Sequence, residues 1–240
     1  MAMTQMQMRT RAPMPMPMPV ATPTPTRAPI TIVDFNMGNL PSVCKAFRAV
    51  GYEPQVTSDP AVIERADGLV LPGVGAFANG MRELTERGLV EPLRAYAASG
   101  RPMLGICVGL QLLFEVGEEF GETSGLGILK GRITKLPAGV KLPQIGWNLV
   151  QPVQREHPIF AGLTEPYYAY FVHSYAAEGT DIADIAAVTD YGRVFPSVVA
   201  RGNVVGLQFH PEKSSQAGLR MLANFGRLVC PASNCTPPSM

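Results

Sequence analysis

A cysteine flanked by two glycines is the feature of this sequence that most clearly suggests chemistry. In the segment "GICVG", residues 105–109, Cys107 lies where an apolar strand pattern changes to an apolar helix pattern. Glycines two positions before and after it let neighbouring backbone approach without Cβ clashes, as a strained turn requires. The pattern predicts a nucleophile elbow with sulfur in place of the serine oxygen of G-x-S-x-G. Taken alone, the segment is also compatible with a buried core cysteine.

A cysteine nucleophile needs a base and a group that orients the base. His210 ends a predicted strand in "GLQFHPEKS", and Glu212 follows two residues later, so both side chains leave the same face of an extended backbone. Pro211 disfavours a helical conformation at His210. We therefore predict Cys107 as nucleophile, His210 as general base and acid, and Glu212 as the group that orients it. A strand-end histidine beside a surface glutamate is the alternative for this pair alone.

The other two histidines are weaker candidates for the base. His157 lies in the loop "REHPIFAGL" with no carboxylate in useful register, which indicates a solvated loop residue. His173 lies within the strand pattern "YFVHSY", where a structural role and a catalytic role are both open.

Acyl transfer also needs hydrogen-bond donors for a developing oxyanion. The segment "LPGVGAF" forms a flexible turn whose backbone N–H groups at Gly73, Val74 and Gly75 we expect beside that of Val108. This expectation requires the turn and Cys107 to share one edge of a sheet. An ordinary glycine turn is the alternative.

Alternating strand and helix patterns predict an α/β fold. Strands are expected at "ITIVDF", "GLVLPG" and "PMLGIC", with helices between them, which implies parallel pairing through right-handed crossovers. Asn39 is expected to cap the first helix and Gly51 to end it. From about residue 127 six strand patterns follow one another, and "SQAGLRMLANFGRLV" closes the domain as an amphipathic helix. The fold class is therefore an open, mostly parallel twisted sheet flanked by helices, flavodoxin-like, with an antiparallel-rich second half.

Composition divides the chain into three parts. Residues 1–28 are rich in Met, Pro and Thr and are expected to be disordered, residues 29–230 form one domain, and residues 231–240 form a flexible tail.

Charge and cysteine content narrow the class of protein. Twenty basic and 19 acidic residues give a net charge of +1, which argues against a nucleic-acid partner. No apolar run approaches the length of a membrane span, which is about 18 residues. The four cysteines lack a disulfide framework and paired metal-ligand spacing, so we expect a soluble cytoplasmic protein without metal or cofactor. Pairing of Cys230 with Cys235 is not expected.

Six motifs resemble a known family. "PGVGAF", "GICVGLQLL" and "FHPEKS", in this order, resemble the class I (triad) glutamine amidotransferases. "VDFNMGNLPSV", "LPQIGWN" and "FVHSY" are similar to the glutaminase subunits of imidazole glycerol phosphate synthase of histidine biosynthesis. The resemblance covers about residues 30–229. It implies hydrolysis of L-glutamine to glutamate and ammonia, and a heterodimer with a (β/α)8-barrel cyclase subunit that makes imidazole glycerol phosphate and aminoimidazole carboxamide ribotide.

Position by position, the resemblance implies further roles. It supports the roles of Cys107, His210 and Glu212, and it implies that the Val74 N–H joins the oxyanion site only after a peptide flip. Around bound glutamine it places Gln111, Glu119, Ser174 and Tyr175. Facing or gating the cyclase subunit it places Asn39, Trp147, Asn148, Tyr170 and Lys213.

One departure from the family pattern concerns the first loop. The usual D-Y-G-x-G-N has Asn36 in place of its first glycine, which puts the loop conformation in doubt, although asparagine tolerates a left-handed φ better than most residues.

Three alternative functions remain open at this point. They are a glutaminase subunit of another class I amidotransferase, a free-standing cysteine hydrolase of related fold, and a non-catalytic binding module.

Overall fold

The structure, a computed structural model, describes residues 30–230 of the chain. The predicted domain of residues 29–230 falls almost wholly within this range. The predicted disordered extension of residues 1–28 and the predicted tail of residues 231–240 lie outside the described residues.

The described residues form thirteen strands, six α-helices and three 3-10 turns. The strands are β1 (Ile30–Val33), β2 (Pro54–Thr57), β3 (Gly68–Gly73), β4 (Met103–Cys107), β5 (Phe114–Gly117), β6 (Thr123–Ser124), β7 (Leu129–Lys135), β8 (Gln144–Pro152), β9 (Tyr167–His173), β10 (Tyr175–Glu178), β11 (Ile185–Asp190), β12 (Val194–Arg201) and β13 (Val204–Leu207). The α-helices are α1 (Leu40–Ala49), α2 (Pro60–Arg65), α3 (Phe77–Glu86), α4 (Val90–Ala98), α5 (Val108–Gln111) and α6 (Ser215–Val229). The 3-10 turns are Pro158–Phe160, Ile182–Asp184 and Pro211–Lys213.

The larger of the two sheets has nine strands in the order β2-β1-β3-β4-β13-β12-β11-β8-β9. The strands from β2 to β13 in this order are parallel, and those from β13 to β9 are antiparallel. The central strands β3 and β4 are buried along their whole length, as expected for apolar runs in a sheet covered on both faces. The predicted α/β fold with an antiparallel-rich second half is confirmed.

A smaller sheet, in the order β10-β7-β5-β6, accounts for the main difference from the prediction. The pattern "YYAYFVHSYAA" predicts one strand, but the chain breaks at Ser174, so that β9 belongs to the large sheet and β10 to the small one. No glycine or proline marks this break, and the side chains on both sides of it favour strands equally. The sequence pattern therefore gives no sign of the break. The break leaves the Ser174–Tyr175 backbone at the junction of the two sheets.

The helices follow their apolar periodicity. Helix α1 begins after Asn39 and is followed by Gly51 at a φ of 83°, as predicted. The Asn39 side chain makes no capping hydrogen bond, so its predicted capping role is wrong. Helix α6 spans the predicted segment and buries Leu222 and Phe225.

The backbone at Cys107 is strained as the glycine pattern predicts. Cys107 has a φ of 54° and a ψ of −113°, an unfavourable conformation for a residue with a Cβ. Gly109 lies so close to β3 that a Cβ there would overlap the Leu71 carbonyl oxygen. Gly105 similarly faces the backbone of Leu110, 2.8 Å from where its Cβ would lie. The two glycines therefore let α5 fold back onto the sheet.

The helix after Cys107 is shorter than expected. Helix α5 has four residues, and the chain then continues into β5. A single turn aligns few peptide dipoles, so its macrodipole contributes little to the electrostatics of the site.

One cysteine departs from the expected free state. Cys44 and Cys107 are free, but Cys230 at the end of α6 is disulfide-bonded. The expectation that Cys230 stays unpaired is therefore wrong.

Replacing Gly109 with alanine tests the close approach at the elbow. We expect Gly109→Ala to lower the free energy of unfolding by about 3 kcal/mol, because its Cβ overlaps backbone that cannot move aside. Gly88→Ala is the matched control: Gly88 has a φ of +65° but no atom within 4 Å of the added Cβ, so about 1 kcal/mol is expected. Urea unfolding of the three proteins measures both values, and equal losses would contradict the prediction.

Candidate active site

Cys107 lies at the carboxyl end of β4, beside the glycine turn that follows β3. The register pairs Gly73 with Cys107, so the turn and the cysteine share one sheet edge, as predicted. The cysteine is 2% exposed. It lines a cleft of about 350 Å³, the usual place for a ligand in an open α/β sheet.

His210 and Glu212 form a buried pair at the same edge. His210 Nδ1 and Glu212 Oε1 are 2.8 Å apart, and both side chains are almost fully buried. Nδ1 donates to the carboxylate, which leaves Nε2 unprotonated or free to donate elsewhere. The geometry differs from the prediction: residues 211–213 form a 3-10 turn, and this turn, rather than an extended backbone, brings Glu212 back to the ring.

Ser214 holds this turn in place, and sequence reasoning missed it. Its hydroxyl donates to the His210 carbonyl at 2.6 Å and accepts the Tyr170 N–H at 2.9 Å. The His210 N–H in turn donates to the Tyr170 carbonyl at 3.0 Å. The backbone of His210 is therefore fixed to β9 twice, directly through its N–H and indirectly through its carbonyl and the Ser214 hydroxyl. A serine four residues after the histidine was the only signal in the sequence.

The surroundings of His210 favour its protonated form. Burial lowers the pKa of the imidazole, but interaction with the Cys107 sulfur and the Glu212 carboxylate outweighs burial and raises the pKa to about 10. The Nε2 atom faces the cleft that Cys107 also lines, but its approach to the sulfur does not meet the geometry of a hydrogen bond, so the effect of Cys107 on the pKa is one of proximity and charge. The ring therefore carries a proton at neutral pH that it can give to a leaving group.

The surroundings of the other two histidines do not suit proton transfer, although His173 lines the same cleft as Cys107. His173 packs against Phe171 and Phe195, and its Nδ1 donates to the Tyr175 carbonyl at 2.8 Å. Burial lowers the pKa of His173 to about 4, which favours the structural role. His157 is partly buried, and its Nδ1 accepts the Ile159 N–H, so it caps a 3-10 turn instead of being solvated.

The four residues predicted around a ligand all line the cleft with Cys107 and His210. They are Gln111, Glu119, Ser174 and Tyr175. The Glu119 Oε2 atom accepts the Phe77 N–H at 2.8 Å, which anchors the carboxylate at the start of α3. The break between the two sheets is what places Ser174 and Tyr175 here.

The predicted oxyanion donors are only partly in place. Val74, Gly75 and Val108 line the cleft, and Val108 is the first residue of α5, where N–H groups have no helical partner. The Val74 N–H points elsewhere, because it donates to the Met37 carbonyl at 3.0 Å. Gly73 lies within β3 and packs against Gly109 instead of lining the cleft.

Three of the residues predicted to face a partner lie together on the outer face of β8 and β9. Trp147 and Tyr170 are cross-strand neighbours with ring centroids 6.3 Å apart, and Lys213 Nζ lies 5.8 Å from the Tyr170 ring centroid. Ile145 and Tyr168 extend this face and were missed, although strand alternation places them beside Trp147 and Tyr170. We call these five residues the aromatic surface.

The other two predicted partner residues lie elsewhere. Asn148 is on the inner face of β8, opposite Trp147, and its Oδ1 accepts from Gln144 Nε2 at 2.8 Å. Asn39 lies before α1, where it borders the same small depression as Glu212.

Asn36, at the position of the missing glycine, adopts a left-handed backbone conformation. Asn36 has a φ of 65°, and its N–H donates to Asp34 Oδ1 at 3.1 Å. Asparagine therefore takes the left-handed conformation that a glycine would otherwise supply.

Metal-ligand clusters and membrane-spanning helices are both absent from the described residues. Within residues 30–230 no group of three or more His, Cys, Asp or Glu side chains is placed to hold a metal ion. None of the helices in this range is long and apolar enough to cross a membrane.

Fold and site together define the class of protein. A family profile described as "Glutamine amidotransferase class-I" matches residues 31–228. Two solved structures share the fold: PurLQS from Thermotoga maritima, 17% identical with a TM-score of 0.67 over 83% of this chain and 98% of that one, and a putative GMP synthase protein from Thermoplasma acidophilum, 21% identical with a TM-score of 0.62 over 85% and 94%. The chain belongs to the class I glutamine amidotransferases.

Curated relatives show which family within this class the chain belongs to. The imidazole glycerol phosphate synthase subunit HisH of Symbiobacterium thermophilum is 60% identical over 210 residues, which cover 88% of this chain and 99% of that protein. HisH of Syntrophotalea carbinolica is 52% identical over 204 residues, which cover 82% and 98%. Within its class the chain belongs to the family of HisH subunits.

The raised pKa of His210 predicts how stability depends on pH. In the unfolded chain the pKa of a histidine is about 6.5, so the folded state binds the His210 proton more tightly than the unfolded state does. The resulting stabilisation is complete below about pH 6.5 and is lost as pH rises toward 10. We expect Glu212→Gln to lower the pKa of His210 and to flatten the decline in unfolding free energy between those pH values.

NMR titration of the His210 ring and denaturant unfolding across pH measure these two effects. Glu156→Gln, at an exposed position, is the matched control and should titrate as the unsubstituted protein does. An unchanged pKa of His210 in Glu212→Gln would contradict the prediction.

Proposed function

We propose that this chain is the glutaminase subunit of an imidazole glycerol phosphate synthase and supplies ammonia for histidine biosynthesis. The observation that carries the proposal is the convergence of Cys107 and His210 in one cleft, with Glu212 hydrogen-bonded to His210 behind it. The two curated relatives described above, 60% and 52% identical, are both named as this subunit.

The reaction begins with attack of the Cys107 sulfur, as thiolate, on the side-chain carbonyl carbon of glutamine. A C–S bond forms, and the carbonyl electrons move to oxygen. When the tetrahedral intermediate collapses, the C–N bond breaks, and His210 gives its proton to the departing nitrogen, which leaves as ammonia. Glu212 keeps the ring oriented throughout this step.

The second half of the reaction releases glutamate. Water gives a proton to His210 and attacks the γ-glutamyl thioester, and the C–S bond then breaks to return the thiolate. Ammonia is the useful product, and residues 30–230 contain no second catalytic domain that could consume it.

Oxyanion stabilisation explains why a partner would control the rate. We propose that the Val108 N–H is one donor and that the Val74 N–H becomes the second after a peptide flip. In the present structure the Val74 N–H is held by the Met37 carbonyl. Removing one oxyanion donor costs about 100- to 1,000-fold in kcat in other enzymes, so the isolated chain should be a weak glutaminase.

The aromatic surface is the proposed docking site for the (β/α)8-barrel cyclase subunit. Ile145, Trp147 and Tyr168 are 60%, 52% and 51% exposed, and such exposure of large apolar side chains marks an interaction site. Lys213 belongs to this surface and also lines the cleft. A partner docked here would receive ammonia next to where it forms, in a heterodimer that we expect to act in the cytoplasm.

A glutaminase assay with and without the cyclase partner and its nucleotide ligand tests the proposal. We expect glutamate release to rise by at least about 100-fold when both are added, because a missing oxyanion donor is worth that much. Cys107→Ala should abolish release under all conditions, since no other thiol among the described residues lines the cleft. If the partner produced no rise and Cys107→Ala changed nothing, the proposal would be lost. Turnover of other amides by the isolated chain would favour the free-standing hydrolase instead.

Trp147→Ala tests the docking surface. We expect the dissociation constant for the cyclase subunit to rise at least about tenfold, because truncating a central aromatic side chain removes a large share of binding energy. The matched control is Ile182→Ala, an exposed apolar position far along the chain, 87% exposed. Calorimetry of the two variants measures the difference, and equal affinities would exclude the aromatic surface as the docking site.

A further inference from the structure

We infer that Gln208 is a positioning residue that sets which atom of the Gln111 side-chain amide faces the substrate. Gln208 lies two residues before His210, is fully buried and does not line the cleft. Its proposed effect acts through Gln111, which does line it. The inference rests on the proposed function, because it concerns how glutamine is held.

The Gln111 nitrogen is committed to the protein interior. Its Nε2 donates to the Tyr175 carbonyl at 2.9 Å and to Gln208 Oε1 at 3.1 Å. A carbonyl oxygen can only accept, so the amide of Gln111 must turn its nitrogen toward Tyr175. The second N–H of the same nitrogen then requires an acceptor, which Gln208 provides.

The rest of this network fixes the acceptors in place. The Tyr175 carbonyl also accepts from His173 Nδ1 at 2.8 Å, so it is held from two sides. The Gln208 N–H donates to the Ser197 carbonyl at 3.0 Å, which pins its backbone beside β12. The Tyr175 carbonyl therefore cannot follow a rotation of the Gln111 amide, and Gln208 Oε1 can move only by rotation of its own side chain on a fixed backbone.

Both N–H groups of Gln111 are thus used, and Oε1 is the atom of its amide left for the cleft. An oxygen there accepts from a donor, whereas an NH2 group would repel one. Glu119, which also lines the cleft, adds a negative charge nearby. L-Glutamine has two donor groups, its side-chain NH2 and its α-ammonium. Because the proposed reaction places the side-chain amide at Cys107, the α-ammonium is the donor left for these two acceptors, and Gln208 therefore favours ligands that carry one.

Without Gln208, half of the restraint on the Gln111 amide disappears. The amide can then rotate and present Nε2 to the cleft, where two donors face each other. The loss should fall on binding of the α-ammonium and should leave contacts with the rest of the ligand unchanged. A merely structural role of Gln208 would weaken all ligands alike.

The test compares two ligands in the Cys107→Ala background, where neither is turned over, with the cyclase subunit present. L-Glutamine carries the α-ammonium, and 4-carbamoylbutanoate is the same molecule without it. Calorimetry gives the two dissociation constants. We expect Gln208→Met, which keeps side-chain length, to weaken L-glutamine about tenfold while 4-carbamoylbutanoate changes little, as expected for a lost hydrogen bond to a charged group.

A double-mutant cycle shows whether Gln208 acts through Gln111. Gln111→Met should reduce the preference for L-glutamine at least as much, and adding Gln208→Met to it should change nothing further. Gln208→Glu keeps an acceptor oxygen at the same position and should retain the preference, which keeps the inference testable if Gln208→Met does not fold.

Each outcome decides a different question. Equal weakening of both ligands in Gln208→Met, additive effects in the double variant, or loss of the preference in a folded Gln208→Glu would each overturn the inference. If the Cys107→Ala protein with Gln208 intact failed to bind L-glutamine at all, the proposed function itself would have failed. If that protein bound L-glutamine preferentially and Gln208→Met left the preference unchanged, only the role of Gln208 would be lost.

Discussion

The close packing of the chain after Cys107 against the neighbouring strand is the constraint on which the site depends. Gly109 lies against the Leu71 carbonyl, and no residue with a Cβ fits there. This contact forces the chain to turn sharply at the end of β4, which holds Cys107 at a positive φ and presents its sulfur to the cleft. The cost of that strained backbone is met by the apolar residues that follow, such as Leu110 and Leu112, which are fully buried.

A second set of contacts ties the base to the surface that we propose for the partner. Tyr170 contributes its backbone to His210 and Ser214, while its side chain lies beside Trp147. One residue thus belongs both to the support of the base and to the aromatic surface. The Val74 N–H, in contrast, is turned away from the cleft by a single hydrogen bond to the Met37 carbonyl. His210 and Glu212 are held by several hydrogen bonds, whereas the Val74 peptide is the part for which we propose a second arrangement.

The prediction from sequence succeeded where one local pattern has one structural solution. The glycines around Cys107 indicated a sharp turn, the buried strands read as continuous apolar runs, and α6 followed its helical periodicity. The prediction failed where the local sequence is about equally compatible with two backbone structures. The break at Ser174 and the short α5 both depend on which surface packs against which.

The sequence by itself determined the chemistry that this protein can perform. A cysteine between glycines, and a histidine two residues before a glutamate, are the residue types that the proposed reaction needs as nucleophile, base and orienting carboxylate. Only the tertiary structure decided how these groups are arranged and charged. Cys107 and His210 are about a hundred positions apart in the chain, and they meet because β4 and β13 pair in parallel and end at the same edge. The proton on His210 and the direction of the Gln111 amide follow from burial and from hydrogen-bond partners brought in from distant segments, because neither desolvation nor a distant acceptor is encoded in local sequence.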